Sequence, residues 1–459
     1  MPRASLHAVP PASGRLTRAA RSRRARRFAG QRAATSLAAT SLAAALIAAL
    51  LAALLAACAR DAARDGAVEG AAERARDAAS AAREPLRVGT SVDYAPVSAR
   101  ARERGGGGED GPDEGFDLDV ARAFAASAAG RALVLVPFRW SDLERELAAG
   151  RFDVAMSGVT VRPERSLVGR FTVPVARTGA VVIARAGAFR DADDALARAA
   201  TVAVNRGGHL ERVTRARFAR ARVIAVSPND RVLDELLAGR ADAVVSDTLE
   251  APRWLARANG LVALGPFTRD DKAYLVRAER PELARELDAW LLARERDGTL
   301  DRLRRRHFGA PARADAELDA RASWPRTATV AAALDAAVEE RLALMPLVAA
   351  AKRATGAPVE DAAREARVLD AGVASVARAA RERGIAPPPE ATTRAFFRAQ
   401  IERAKDVQRR ALAAAAEGDE TGAAPPDLED ALRPALLRIG DRIAFLLVER
   451  AREDARAHD

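Results

Sequence analysis

Short apolar runs of β character alternate with helical stretches from Leu86 to about residue 308, and beyond Pro325 such runs disappear. This change of texture constrains the fold more than any other feature. Strands that alternate with helices call for parallel sheets with crossovers, which an uninterrupted helical period cannot supply. The runs LRVGTSV, ALVLVPF, VAMSGV, AVVIARA, TVAVN, RVIAV and AVVSDT mark the first region. Apolar residues at helical spacing mark the second, in TATVAAALDAAVEERLALM, AREARVLDAGVASVARAARERG, TRAFFRAQIERAKDVQRRALAAAA and LEDALRPALLRIGDRIAFLLVERA. Pro346, Pro358, Pro387 to Pro389, Pro425 and Pro426 punctuate it where helices should kink or stop. A chain of 459 residues also exceeds what one core sustains. The expected organisation is multidomain: an α/β domain over 85–310, a polar Ala-rich linker over 311–325, and an all-α helix bundle over 326–459. The linker has the composition of a flexible tether, which predicts no fixed channel between the domains.

The amino-terminal part reads as an address and not as fold. Nine arginines stand in the first 32 residues without an acid, and no further charge follows until Arg60. A basic segment, an apolar run and small residues ahead of the only cysteine, Cys58, form the layout of an export signal over residues 1–57. Leu55-Ala56-Ala57-Cys58 resembles the lipobox of bacterial lipoproteins. It implies a lipidated Cys58, followed through residue 84 by a tether of alanine and charges, and hence a membrane-attached periplasmic protein. A plain transmembrane anchor is the alternative, since the run is nearly long enough to span a bilayer. Ala59 after the cysteine favours the periplasmic face of the outer membrane over the inner membrane. Arg23-Arg24 and Arg26-Arg27 fit a twin-arginine export motif only in part, which leaves the export route open. The same arginines account for most of the formal charge of +11, leaving +2 for the rest of the chain. With aromatic residues at 4% and no basic stripe downstream, nucleic acid is set aside as a partner.

Ligands of open α/β sheets sit beyond the carboxyl ends of the strands. The residues there are Asp93 and Tyr94, Trp140, Ser157 to Arg165, the Gly207-Gly208-His209 turn, and Asp247 to Glu250. Only three lysines, Lys272, Lys352 and Lys405, stand among 74 basic residues, so each is a candidate for work that a planar guanidinium cannot do. One cysteine permits no intramolecular disulfide, and four scattered histidines make a metal cluster improbable.

The ordered set GTSVDYAP, GFDLDVARAFA, RFDVAMSGVTVRPER, FTVPV, VNRGG, LLAGRADAVVSDTLEA and DKAYLV resembles the periplasmic amino-acid-type solute-binding proteins of family 3. More closely it is similar to cyclohexadienyl (prephenate/arogenate) dehydratase, the enzyme built on that fold. The resemblance implies two α/β lobes joined by two crossing strands, with the site between them. Arg165, supported by Ser157 and Thr160, then clamps a substrate carboxylate as a bidentate pair. Gly208 lets a helix amino terminus approach an anion. Glu250 is the general acid, protonating the C4 hydroxyl of prephenate as carbon dioxide leaves, and burial keeps it protonated near neutral pH. Asp93, Trp140 and Lys272 complete the site, Lys272 as a point charge beside the departing carboxylate. Asp247 holds a ligand ammonium in the binding proteins and is retained as a substrate-binding candidate. His209 and Leu210 stand where the dehydratases carry small polar residues; either the site is weakened there or His209 replaces the lost contact as a donor.

In the helical region Arg341 and Lys352 lie eleven residues apart, close to three whole turns, and project to a similar side. Gln400, Ala404 and Gln408 share one helix face. With Arg364, Glu365 and Arg433 they suit a cavity for a small dianion. The pattern ERL, then Lys352, TGAPVED, Arg364-Glu365 and QIERAKDVQ resembles the all-helical chorismate mutases, and the long chain that reaches Arg433 resembles their secreted class, whose site lies within one chain. The resemblance implies that Arg341, Asp361, Arg364, Glu365 and Arg433 bind substrate, with Lys352 and Gln408 donating to the ether oxygen. Ala404 departs from the small hydroxyl residue usual there. Lys405 is expected on an exposed face beside the site, with no role.

Together these readings predict an exported bifunctional enzyme, an isomerase and a carbon-oxygen lyase. It converts chorismate to prephenate and prephenate to phenylpyruvate, with arogenate to phenylalanine as a side activity. Neither step needs a cofactor. The alternative is an amino-acid receptor of a transporter or sensor fused to a working mutase.

Overall fold

The computed structural model describes residues 84–100, 113–127, 130–309, 326–416 and 424–456. The export signal, Cys58, the tether before Glu84 and the linker 311–325 lie outside the described residues.

The first domain holds ten principal strands: β1 (Leu86–Thr90), β2 (Leu133–Pro137), β3 (Val154–Ala155), β4 (Gly169–Phe171), β5 (Ala180–Arg185), β6 (Thr201–Asn205), β7 (Arg222–Val226), β8 (Ala243–Asp247), β9 (Leu261–Leu264) and β10 (Leu275–Arg277). They form two five-stranded sheets, one per lobe, ordered β2-β1-β3-β10-β4 and β7-β6-β8-β5-β9. In each sheet the three strands at one end run parallel and the rest antiparallel. The near-continuous apolar character of the runs follows from burial on both faces. In β5, Val181 and Ile183 enter one core cluster while Val182 and Ala184 enter another, as the two-residue period of a strand requires. The lobes are joined where Ala176–Thr178 pairs antiparallel with Asp270–Lys272.

Among the described residues of this domain nine helices accompany these sheets: α1 (Phe116–Ser127), α2 (Leu143–Ala148), α3 (Pro163–Val168), α4 (Ala192–Arg198), α5 (His209–Arg217), α6 (Val232–Leu237), α7 (Ala251–Leu255), α8 (Pro281–Arg296) and α9 (Thr299–Phe308). The second domain is entirely helical among its described residues, with α10 (Val330–Ala343), α11 (Met345–Thr355), α12 (Ala362–Glu382), α13 (Glu390–Ala416) and α14 (Arg433–Arg456). Local chemistry sets its boundaries. The Thr329 hydroxyl accepts from the Ala332 amide at 3.2 Å and caps α10, and Asp361 accepts from the Arg364 amide at 2.9 Å and caps α12. Pro346 opens α11, and Gly356, at φ 69°, closes it in the left-handed conformation that glycine adopts without strain.

The linker has the composition of a flexible tether, and the described residues on either side of it pack together. Leu287 and Leu291 of α8, with Val173 and Val175, belong to the same apolar core as Val330, Ala337, Ile439 and Phe445 of the bundle. Where the chain enters the bundle, the buried pair Arg304 and Glu295 is doubly hydrogen-bonded at 2.9 and 2.7 Å, and Glu295 also accepts from the Ala328 amide at 3.2 Å. Breaking one partner of such a buried pair leaves an uncompensated charge, so this junction resists separation.

Candidate active sites

Six strand ends of the first domain converge on one small cavity between the lobes, of about 30 Å³. Beyond β1 the chain turns at Val92, whose φ of 48° costs a β-branched residue on the order of 1–3 kcal/mol, and Tyr94 follows on the cavity wall. Trp140 and Thr160 come from the turns after β2 and β3, and Arg165 from α3. Asn205, Gly208 and His209 close β6, and Asp247 and Glu250 close β8. Lys272 arrives on a crossing segment. At Gly207, φ 77°, a side chain would put its Cβ 2.7 Å from the Ser141 amide nitrogen, so only glycine lets this turn approach the opposite lobe.

Arg165 is fully buried. Its Nε donates to Glu144 at 3.1 Å and its Nη1 to the Thr160 carbonyl at 3.1 Å, while Nη2 is buried with no protein partner. The guanidinium also lies over the Trp140 ring at 5.7 Å. Burial lowers its pKa to about 10, which keeps it cationic at neutral pH. A buried cation with an unused donor beside a cavity is an anion receptor. Lys272 adds a second cation, donating to the Thr160 hydroxyl at 3.0 Å and pairing with Asp247 at 3.3 Å. Asp247 also accepts from the Tyr94 hydroxyl and from the amides of Leu249 and Glu250.

Glu250 differs from its neighbour. Burial first, and then the Asp247 carboxylate, push its pKa well above the ordinary glutamate range. The Asn229 amide nitrogen donates both to the Asp93 carbonyl, at 3.3 Å, and to Glu250 Oε1, at 2.7 Å. The Ser246 hydroxyl donates to Oε2 at 2.8 Å, so both carboxyl oxygens accept a hydrogen bond. Burial biases this carboxyl on the wall toward its protonated form.

The cavity gathers Trp140, Thr160, Arg165, Gly208, His209, Asp247, Glu250 and Lys272. Asp93 and Ser157 are not on its wall. Ser157 turns its hydroxyl to Ser91, at 2.8 Å, and Asp93 Oδ2 accepts from the Asn229 amide at 3.1 Å. Burial lowers the His209 pKa, and its Nε2 is engaged with Asp270 at 3.0 Å. The remaining nitrogen, Nδ1, is buried without a protein partner. Tyr94, noted in the sequence at a strand end without a role, lines the cavity, as do Asn205 and Asn229, which were not singled out. Asn205 closes β6 and Asn229 follows β7 by three residues, so the strand-end rule could have found both.

The helical domain holds a larger cavity, of about 370 Å³. Arg341, Lys352, Asp361, Arg364, Glu365, Gln408 and Arg433 all line it, drawn from α10 to α14 and the cap of α12 within one chain. Lys352 is buried and donates to the Val359 carbonyl at 3.1 Å; burial and the Arg364 charge lower its pKa. Arg433 pairs with Glu429 and keeps a buried, unpartnered Nε. Gln408 donates to the Ala404 carbonyl at 3.3 Å. The Oε1 atoms of Gln408 and Gln400 are buried without partners. Asp361 caps α12 in addition to lining the wall. Lys405 is half-buried, lines the cavity and pairs with Glu365 at 3.3 Å, whereas an exposed face was expected. Arg367 joins the wall too, one turn beyond Arg364, a spacing the sequence displays. Converging cations around a space of this size suit a compact dianion, and Lys352 and the amides can serve a polar atom between its charges.

Residues 86–310 match the bacterial extracellular solute-binding proteins, family 3, and residues 327–409 match chorismate mutase type II. Cyclohexadienyl dehydratase of Pseudomonas aeruginosa is 34% identical over 229 residues, which cover 49% of this chain and 82% of that protein. The L-cystine-binding protein TcyJ of Escherichia coli K12 is 26% identical, over 50% of this chain and 84% of that one. Among solved structures, an ancestral amino acid-binding protein, a precursor of cyclohexadienyl dehydratase, is 30% identical with a TM-score of 0.45, over 49% of this chain and 96% of that one.

Proposed function

The chain belongs to the bacterial extracellular solute-binding proteins of family 3, joined to a type II chorismate mutase domain, and we propose that it converts chorismate to prephenate in the helical domain and prephenate to phenylpyruvate in the two-lobed domain. The observation that carries the second activity is the buried carboxyl of Glu250 on the cleft wall, with a pKa raised by burial. A receptor for an amino acid has no use for such a group there, whereas loss of hydroxide from a ring carbon requires a proton donor.

In the helical cavity Arg341, Arg364 and Arg433 hold the two carboxylates of chorismate in its folded conformer. Lys352 and Gln408 donate to the ether oxygen, which gains charge as its carbon–oxygen bond breaks while the new carbon–carbon bond forms. No proton moves and no covalent intermediate forms; the rate comes from orientation and fixed charge. Gln408 donates at every pH.

In the cleft, Arg165 Nη2 and the amino terminus of α5 at Gly208 grip the pyruvyl carboxylate, and Lys272 lies by the ring carboxylate. Glu250 Oε2 gives its proton to the C4 hydroxyl, which leaves as water. The electrons of the ring carbon–carboxylate bond move into the ring, and carbon dioxide departs. Glu250, left as carboxylate beside Asp247, regains its proton from solvent. A cavity of about 30 Å³ cannot admit a ten-carbon substrate, so the lobes open about the crossing segments for each turnover. Arogenate, with an ammonium for Asp247 to hold, is turned over more slowly.

The protein is exported and held by lipid on Cys58 at the periplasmic face of the outer membrane; Cys58→Ser should release it into the soluble periplasmic fraction. The decisive assay supplies chorismate alone to purified protein at neutral pH. Phenylpyruvate appearing after a lag in which prephenate accumulates supports both activities. Prephenate that accumulates without further conversion, with a tightly bound amino acid seen by thermal shift, supports the receptor instead.

A further inference from the structure

We propose that Arg438 and Glu340 of the helical domain are positioning residues for the dehydratase cleft, acting through the helix that carries Arg165. This inference rests on the dehydratase reading above.

Helix α3 is six residues long and sends its two sides to different domains. Arg165 enters the cleft. Ser166, also buried, donates its hydroxyl to Glu340 Oε1 of α10 at 2.8 Å. The last carbonyls of any helix lack intrahelical partners, and in so short a helix these are most of its backbone acceptors. Here one guanidinium of the other domain takes them, Arg438 Nη2 donating to the Ser166 carbonyl at 3.0 Å and to the Leu167 carbonyl at 2.8 Å. Arg442, one turn further along α14, bonds the second oxygen of Glu340 and the carbonyl of Phe171, where β4 ends. Glu340 is buried, and its neighbour Arg341 lines the mutase cavity.

The clamp for the substrate carboxylate is therefore fixed from both sides. Glu144, Thr160 and Trp140 hold the guanidinium from within its own lobe, and the helical domain holds the backbone beneath it. A solute-binding domain standing alone would offer these carbonyls only water. Fusion has made the second domain part of the first domain's binding site, although no atom of it reaches the cleft.

The test uses the full chain with prephenate supplied directly. Arg438 lies outside both cavities, and Arg438→Ala is expected to raise KM for prephenate about tenfold with kcat changed less than twofold, because displacing a binding group by a fraction of an ångström weakens binding first. Mutase activity on chorismate should stay within twofold. Arg438→Lys, which still donates to the carbonyls, should recover most of the loss. In an Arg165→Met background, Arg438→Ala should add less than twofold, since its effect runs through Arg165. A KM unchanged in folded Arg438→Ala, or an equal rise in the Arg165→Met background, overturns the proposal. If Arg438→Ala does not fold, Ser166→Ala, which removes the bond to Glu340 and leaves the carbonyls in place, tests the Glu340 half of the proposal by the same rise in KM. Absence of prephenate turnover in the unsubstituted protein would instead refute the dehydratase reading itself.

Discussion

The two cavities of this chain solve opposite problems. The helical one, about 370 Å³, is lined by cations already in place and needs no titrating group to change state, because a pericyclic rearrangement asks only for shape and fixed charge. The interlobe one, about 30 Å³, sets a buried carboxyl of raised pKa near a carboxylate and two cations, an arrangement that depends on the exclusion of water. Proton transfer is thus assigned to the site that can close, and charge stabilisation to the site whose walls are helices in a fixed bundle. The lesson is that a bundle suffices where the catalyst is electrostatic, while acid catalysis exploits a hinge.

Substitutions should separate the two sites cleanly. Glu250→Gln keeps the shape and removes the transferable proton, and should lower kcat for phenylpyruvate formation by about 10³-fold with chorismate consumption unchanged. Product-resolved chromatography checks both numbers in one reaction. Lys352→Ala should do the reverse, lowering mutase kcat by about 10²-fold to 10³-fold while prephenate supplied directly is still dehydrated.

Acidity sharpens the contrast. The folded pKa of Glu250 is raised and its protonated form is the active one, so dehydratase activity should be full below that pKa and fall as pH rises through it. The mutase should be flat across neutral pH, and decline on the alkaline side earlier than an ordinary lysine would dictate, as Lys352 loses its proton. Gln408→Glu should abolish the flat region, giving a mutase rate that falls several-fold between pH 5 and 8 as the new carboxyl ionises. An unchanged profile in that variant would remove Gln408 from the ether oxygen.

The smallest effect is expected where the domains meet. Burial raises the Asp288 pKa from an ordinary aspartate value to about 7. The folded state therefore binds a proton that the unfolded chain releases, and the associated stability is present at low pH and lost as pH rises from about 4 to about 7. Asp288→Asn, which can still accept from the Val173 amide, should raise the melting temperature by a few degrees at pH 8 and little at pH 5.

Much of this molecule was legible in one dimension. The change of period after residue 325 separated the architectures, and the rule that ligands gather at strand ends pointed to the neighbourhoods of Asp93, Trp140, Thr160, Gly208 and Asp247 before any coordinates. The scarcity of lysine singled out Lys272 and Lys352, and both line cavities. Other features were not legible. Ser157 bonds Ser91 and not Arg165 because which side a turn residue faces depends on a backbone path that no periodicity encodes. Asn229 stands three residues beyond the RVIAV run, but that its side chain reaches Glu250 depends on how two distant turns approach each other.

What the sequence determined by itself is what depends on neighbours along the chain: the strand and helix periods, the caps at Thr329 and Asp361, the glycine turn at Gly207, and the residue types offered to each site. What only the tertiary structure decided is what depends on approach between distant segments: the raised pKa of Glu250, the contact of His209 with Asp270, the cleft volume, and the packing of α10 and α14 against α3. Composition described the joining segment as a tether, but the domains are held together by an apolar core and by arginines of the bundle that complete backbone hydrogen bonds of the first domain. Such contacts are invisible in sequence because desolvation and hydrogen-bond completion are properties of surfaces that meet only after folding.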